Sequence, residues 1–244
     1  MHTIKVTISY DGTAYKGWQL QKNAKTIQEE MEDAVEKVFG KRHRLYGASR
    51  TDAGVHAIEQ VAHFKAASAI PIHKIPRALN ALLAEDIAIK KAEEMYPDFH
   101  ARFDAKEKHY RYYIFNSKSR DPFKEKYSWR VPYRLDVPLM RREASILIGE
   151  HDFRSFQAKD KRERSSVRNI FYIDITKRKN SLIIDIAANG FLYNMVRNIV
   201  GTLVELARGY FPPGSMQKIL KNKDRRTAGP TAPAKGLFLV EVKY

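Results

Sequence analysis

The order of the hydrophobic segments restricts the fold of this chain more than any other feature. In residues 1–105, alternating polarity and helical spacing predict a strand, a helix, two strands, a second helix and a fourth strand. Residues 106–244 repeat this order without evident sequence identity between the halves. Two βαββαβ patterns predict an α+β fold of two ferredoxin-like halves, 1–105 and 106–244, each an antiparallel sheet backed by helices.

The signals at segment ends locate these elements. Thr26 and Glu29 form a capping box ahead of an apolar helical stripe, and Gly40 supplies the stop. Asp136 and Gly149 mark the ends of a helix in the second half. The other predicted helices are 72–83, 196–209 and 216–220, and the predicted strands are 4–10, 44–49, 58–65, 87–92, 108–115, 169–177, 182–188 and 237–242.

The formal net charge of +16 is concentrated in the second half. Residues 1–105 carry 15 Lys and Arg against 14 Asp and Glu, whereas residues 106–244 carry 29 against 14. Such a cationic half favours binding to nucleic acid or to an anionic membrane. Because no basic amphipathic helix with a wide apolar face is evident, nucleic acid is favoured, bound in a basic cleft between the two sheets.

The residue types and motifs that the sequence lacks exclude several kinds of site. The chain has no cysteine, which excludes disulfides, thiolate zinc sites and a cysteine nucleophile and fits a reducing compartment. It has no G-x-S-x-G or Walker motif and no HExxH or His/Cys cluster, so a metal hydrolase or a zinc deaminase is disfavoured. Residues 1–12 contain no long apolar run, which predicts neither a signal peptide nor a membrane span and favours a cytoplasmic, soluble protein.

The motif RTDAGVH at residues 50–56 places one carboxylate, Asp52, in a loop of small residues between two predicted strands. An aspartate before Ala-Gly is by default a turn former whose side chain bonds its own backbone. Three observations oppose that default: Arg50 lies two residues earlier, the second half is cationic, and no competing catalytic group is found. Asp52 is therefore the candidate catalytic residue, whereas Asp11, in the turn motif YDGT, is interpreted as structural.

Two further residues fit RNA binding. Tyr110 lies in KHYRYY, where cations alternate with aromatic rings that can stack on unpaired bases, although any one of these rings is more often a core residue. Arg197 follows apolar residues early in a predicted helix, so it requires a carboxylate or a phosphate unless it extends to solvent. The charged segment 159–168 is either solvated surface or a further contact with the phosphate backbone.

Taken together, these motifs resemble those of the tRNA pseudouridine synthase A family, nearly from one end of the chain to the other. RTDAGVH is the most specific of them. The others are YDGT at 10–13, GWQ at 17–19, QVAHF at 60–64, FHARF at 99–103, YRY at 110–112, FLYNMVR at 191–197, TAPA at 231–234 and GL at 236–237. Ser49 and Glu59 depart from the family pattern, and an extra acid so close to the loop could alter the set of RNAs that are accepted.

The resemblance implies a homodimeric enzyme that isomerises uridine to pseudouridine at positions 38, 39 and 40 of the tRNA anticodon arm, without metal or cofactor. It also implies that Asp52 is the nucleophile, that Tyr110 packs on the target base and that Arg197 pairs with Asp52. Arg50 then helps to hold the flipped nucleotide. An ordinary aspartate, with a pKa of ~3.9, is ionised at neutral pH, and a nearby cation keeps it ionised when RNA covers the site.

Two hypotheses from different classes follow. The chain is either an isomerase acting through Asp52 or a non-catalytic RNA-binding protein of the same fold. Asp52→Asn separates them, because an isomerase loses turnover while it keeps affinity, whereas a binding protein tolerates the change. The sequence leaves open whether the carboxylate adds to the base, attacks the ribose or takes a proton from the sugar.

Overall fold

The computed structural model describes residues 1–67, 70–159 and 165–244, and these form ten strands and six α-helices. The chain divides into two compact units: Met1–Lys106 with Phe238–Tyr244, and Glu107–Leu237. Each unit combines a largely antiparallel sheet with helices, so the predicted α+β class is confirmed. Among the helices of residues 1–67, 70–159 and 165–244, none combines the length and the hydropathy that a membrane-spanning helix requires.

The elements alternate along the chain much as the hydrophobic pattern predicts. In chain order they are β1 (His2–Tyr10), α1 (Ile27–Phe39), β2 (Tyr46–Gly47), β3 (His56–Ala66), α2 (Ile75–Asn80), β4 (Ile87–Met95), β5 (Glu107–Asn116), α3 (Pro122–Glu125), β6 (Trp129–Val131), α4 (Val137–Ser145), β7 (Gly149–Asp152), β8 (Val167–Arg178), β9 (Ser181–Ala188), α5 (Met195–Ala207), α6 (Ser215–Asn222) and β10 (Leu237–Lys243). The sequence did not predict α3, β6 and β7, which are too short to carry a periodic signal.

In the first unit, β1 lies between β3 and β4 and is antiparallel to both. Val6, for example, faces Ala62 of β3 and Ala92 of β4. β2 joins β3 in antiparallel orientation, and the start of β3 pairs with β10 in parallel orientation. Alternate residues of β1 from Ile4 to Tyr10 are buried, so the predicted period of two is confirmed.

The first helix begins and ends where the sequence predicts. The Thr26 hydroxyl accepts a hydrogen bond from the Glu29 amide at 3.3 Å, and Gly40 ends α1 in the left-handed region with φ of 79°. Ile27, Met31 and other residues of the apolar stripe are buried. The local signals are therefore sufficient to define α1.

The second unit contains the antiparallel order β5-β9-β8-β7, with β6 added to β5 in parallel orientation. Asp136 begins α4, as predicted, because its carboxylate accepts a hydrogen bond from the Leu139 amide at 2.9 Å. α5 is buried along nearly its whole length and contacts α4. The predicted hairpin around residues 178–180 is confirmed by β8 and β9.

The predicted strand 44–49 is wrong in length, because only Tyr46–Gly47 pairs as a strand. Leu45, just before this strand, is bonded by side chains of α1 instead. Glu32 accepts a hydrogen bond from the Leu45 amide at 3.0 Å, and Gln28 donates one to the Leu45 carbonyl at 3.1 Å. Because side chains already bond the amide and the carbonyl of Leu45, this residue does not pair with a neighbouring strand, and β2 stays short.

Two predicted helices are too long. The segment 72–83 forms a short 3-10 turn followed by α2, which ends at Asn80. The Asn80 amide bonds both backbone groups of Ile89, at 3.0 and 2.7 Å, so a tertiary contact fixes the end of the helix. The segment 136–149 is helical only to Ser145, and Gly149, with φ of 98°, begins β7.

The charged segment 159–168 is only partly covered by the structure. Residues 160–164 lie outside the described residues. Val167 and Arg168 begin β8, which pairs with β7, so this end of the predicted loop is a strand.

Candidate active site

Asp52 lies in the loop between β2 and β3 of the first unit, where the sequence predicts it. Its side chain is half-buried, and Arg50 on the same loop is exposed. The Asp52 carbonyl accepts a hydrogen bond from the Val55 amide at 3.1 Å, which closes a turn around Gly54. The segment from Ser49 to Val55 is called the Asp52 loop below.

The backbone around residues 15–18 holds the Asp52 loop. The Trp18 amide donates to the Thr51 carbonyl at 3.0 Å, and the Gly54 amide donates to the Tyr15 carbonyl at 3.3 Å. Gly17 has φ of 93°, and a Cβ atom on it would lie 2.6 Å from the Thr51 carbonyl oxygen. Only glycine fits this approach, so the GWQ motif positions the Asp52 loop.

Side chains of β1 and β3 hold the same loop from within the sheet. The Tyr10 hydroxyl lies 2.7 Å from the Thr51 hydroxyl, and both residues are buried. Gln60, which is completely buried, donates to the Ser49 carbonyl at 2.9 Å and accepts from the Ser49 amide at 3.2 Å. Residues 49 and 51 are therefore fixed on either side of Arg50.

Asp11 and His56 link the YDGT turn to the end of the Asp52 loop. The Asp11 carboxylate accepts from the Thr13 amide at 3.0 Å, as expected of the structural role predicted for it. His56 Nδ1 lies 3.0 Å from an Asp11 carboxylate oxygen and 3.1 Å from the Gly12 amide. The His56 ring also stacks on Phe238 of β10, with centroids 4.5 Å apart. These contacts fix the first residue of β3.

Tyr110 lies on β5 in the second unit and is 7% exposed. Its ring contacts Phe191 edge to face, with centroids 5.2 Å apart and an interplanar angle of 87°. Tyr112, on the same face of the strand, is fully buried and donates to the Pro233 carbonyl at 2.7 Å. The predicted alternation along this strand is confirmed, and Tyr110 is a well-packed ring rather than a mobile surface residue.

Arg111 lies on the other face of β5 and forms an ion pair there. Its guanidinium donates to Asp185 of β9 at 2.8 Å. Burial raises the pKa of Asp185, but hydrogen bonds from His109 and Arg111 outweigh burial and hold this pKa below its ordinary value. Asp185 therefore remains ionised and fixes the Arg111 guanidinium in an ion pair.

Arg197 lies on the first turn of α5, half-buried, as the sequence places it. Its Nε donates to the Ala232 carbonyl at 2.7 Å, and Nη1 donates to the Asn194 side chain at 3.2 Å. The Ala232 amide in turn donates to the Arg197 carbonyl at 3.1 Å. The TAPA motif thus orients the Arg197 guanidinium, a contact that the two sequence motifs alone do not reveal.

The four predicted site residues divide between the units. Arg50 and Asp52 share a loop of the first unit, and Tyr110 and Arg197 lie on β5 and α5 of the second. Gly17 and Gln60 appear in the sequence only as parts of the GWQ and QVAHF motifs, and their role in holding the Asp52 loop was not predicted. In the described part of the chain, no group of three or more His, Asp and Glu side chains is arranged to hold a metal ion.

Comparison with known proteins agrees with these motifs. The sequence model of the family described as tRNA pseudouridine synthase matches residues 6–104 and 144–244. A protein of Thermoanaerobacter sp. (strain X514) named tRNA pseudouridine synthase A is 46% identical over 244 residues, which is 100% of both chains. Proteins of the same name from Caldicellulosiruptor bescii and Acetivibrio thermocellus are 46% and 45% identical, again over 100% of both chains. The chain belongs to the tRNA pseudouridine synthase family.

Proposed function

We propose that this protein isomerises uridine to pseudouridine in tRNA, at positions 38, 39 and 40 of the anticodon stem-loop, with Asp52 as the nucleophile. Membership of the family supports the reaction. The observation that supports the choice of residue is the Asp52 loop, which β1, β3 and the segment around Gly17 together hold and which carries one half-buried aspartate.

The reaction breaks the C1′–N1 bond of uridine, turns the uracil and forms a C1′–C5 bond. The proton on C5 leaves to solvent and N1 gains a proton, so no oxidant or reductant is required. Asp52 supplies an anionic oxygen that adds to the base, attacks the ribose or takes a proton from the sugar. Each route requires a carboxylate held to within ~0.5 Å, and the bonds to residues 49, 51 and 54 fix the backbone that carries the Asp52 side chain.

The target uridine leaves its stack before it reacts, which costs a few kcal/mol. Base–aromatic stacking supplies about 1–3 kcal/mol per base, and Tyr110, held by Phe191, is the ring that we assign to the target base. Arg50, exposed on the Asp52 loop, is assigned to holding the flipped nucleotide. Arg197, oriented by Ala232, is assigned to keeping Asp52 ionised when RNA excludes water.

We propose in addition a fold for the two units, an oligomeric state and a cellular location. The two units are ferredoxin-like halves, which the position of β1 between β3 and β4, with β2 on β3, supports for the first unit. The protein acts as a homodimer, as the resemblance implies, and light scattering during gel filtration tests the dimer. It acts in the cytoplasm, where its tRNA substrate is found, and fractionation of the cells tests the location.

The experiment that tests the function is tritium release from a tRNA transcript labelled at uridine C5. The wild-type protein should release tritium from a transcript with uridine at positions 38–40 and none from a transcript with cytidine at these positions. Release from the cytidine transcript would disprove the positions but not the reaction. No release from several tRNAs that bind tightly would instead establish an RNA-binding protein without catalysis.

A further inference from the structure

The second unit contains a cationic cavity that none of the proposed site residues lines. It measures about 710 Å³ and is lined by residues of α4 and β8, of the ends of β5 and α5, and of the segment before α4. Its cations are Arg134, Arg141, Lys177 and Arg208. Ligand pockets typically measure about 300–1,000 Å³, so the cavity accepts a group the size of a nucleotide rather than a single small ion.

The positive charge of this cavity is only partly neutralised by the protein. Among residues 1–67, 70–159 and 165–244, the structure records no ion pair for Arg134, Arg141 or Lys177, whereas Arg208 pairs with Glu205 at 2.6 Å. The carboxylate that lines the cavity, that of Asp136, accepts a hydrogen bond from the Leu139 amide as the cap of α4. Like charges brought together in a concave site repel each other and attract an anionic ligand.

A hydrogen bond joins two elements that line the cavity, and exposed rings border it. Arg141 Nε donates to the Ile175 carbonyl at 2.8 Å, which ties α4 to β8. The Arg208 guanidinium lies 5.3 Å from the ring centroids of both Tyr133 and Tyr210, which are 55% and 67% exposed. Cations beside exposed rings suit single-stranded RNA, whose phosphates bind the cations while an unstacked base covers a ring.

We propose that this cavity binds phosphate groups of the tRNA backbone, with Arg134, Arg141 and Lys177 as their ligands and Tyr133 or Tyr210 beside an unpaired base. The inference rests on the proposed function, because tRNA is the polyanion that an enzyme of this family must hold. Phosphate contacts of this kind position the RNA and carry no sequence information, so the cavity adds affinity over many tRNAs.

The double variant Arg134→Gln/Lys177→Gln tests the site. Its matched control is Lys218→Gln/Lys221→Gln, which removes two positive charges from exposed residues of α6 in the same unit. Each phosphate contact contributes about 0.7–0.9 to the slope of log affinity against log salt. The test variant should therefore lose about 1 to 2 units of slope and at least ten-fold in tRNA affinity at low salt, and the control less than three-fold. Thermal melts verify that both variants are folded.

Several outcomes would overturn the proposal. Equal losses in test and control variants would show that only net charge matters, and unchanged tRNA affinity in the test variant would show that the cavity does not hold RNA. Loss of inorganic pyrophosphate binding without loss of tRNA binding would assign the cavity to a free anion and likewise refute it. Tritium release by the wild-type protein is measured on the same preparation. If the wild-type protein releases tritium, these outcomes refute the phosphate site alone and the proposed function stands.

Discussion

Replacing Gly17 with alanine should displace the Asp52 loop without touching Asp52 itself. A Cβ atom at this position would lie 2.6 Å from the Thr51 carbonyl oxygen and 3.1 Å from the Asp52 carbonyl carbon. Both neighbours are backbone atoms of the Asp52 loop, and neither can rotate away as a flexible side chain can. The loop or the segment around Gly17 must therefore move.

The size of the effect follows from two contributions. The left-handed backbone, with φ of 93°, costs about 1–2 kcal/mol once a Cβ is present. Ordinary contact begins at 3.4 Å, so Thr51 must also withdraw by about 0.8 Å, which strains its hydrogen bond from Trp18. Misplacing a catalytic group by ~1 Å can cost about 100-fold in rate. We expect kcat/KM to fall roughly 10- to 100-fold.

The control is Gly40→Ala at the end of α1. Gly40 has φ of 79°, and a Cβ there meets nothing within 4 Å, so only the backbone contribution of about 1–2 kcal/mol applies. Urea denaturation measures stability and tritium release measures turnover. Gly40→Ala should lose stability alone, whereas Gly17→Ala should lose more stability and most of its turnover. If Gly17→Ala matches Gly40→Ala in stability and keeps wild-type turnover, the reasoning about the loop is wrong.

Tyr10→Phe removes the hydroxyl that lies 2.7 Å from the Thr51 hydroxyl in a buried site, so the free energy of unfolding in urea should fall by about 1–3 kcal/mol and turnover should fall with it. Arg197→Lys keeps the positive charge but loses the Nε hydrogen bond to the Ala232 carbonyl, so turnover at saturating tRNA should fall roughly ten-fold or more. An unchanged turnover rate would show that Arg197 does not act in the active site. Burial and the neighbouring His100 lower the pKa of His63 to about 4 in the folded protein. In the unfolded chain His63 takes up its proton near pH 6.5, so the free energy of unfolding should fall as the pH drops from about 6.5 to about 4. His63→Gln should flatten this dependence of the free energy of unfolding on pH, measured in urea.

Local signals in the sequence are sufficient to predict some elements of the fold. Thr26, Glu29 and Gly40 lie within the helix they delimit or next to it, so α1 is read correctly from the sequence. Asp136 likewise marks the start of α4. Where an end depends on a distant residue, the sequence is insufficient: α2 ends at Asn80 because that side chain bonds Ile89.

In the candidate site, too, the sequence predicts what a local motif specifies but not what a distant contact specifies. The RTDAGVH motif identifies Asp52 because its residue types are unusual in a cationic protein, and the structure places it in the predicted loop. The residues that fix the loop lie far from it in sequence or have common side chains. Gly17 precedes Asp52 by 35 positions, and although GWQ and QVAHF are motifs of the family, neither motif indicates what Gly17 or Gln60 contacts. Only the folded backbone shows that both hold the Asp52 loop.

The most direct test of the central claim compares Asp52→Asn with Asp98→Asn, which removes the same charge from an exposed residue of the first unit. Tritium release and tRNA affinity are measured for both variants on one tRNA transcript. If Asp52 is the nucleophile, Asp52→Asn should bind tRNA at least as tightly as the wild-type protein and release no tritium, while Asp98→Asn releases it at the wild-type rate. Wild-type release by Asp52→Asn would contradict the account.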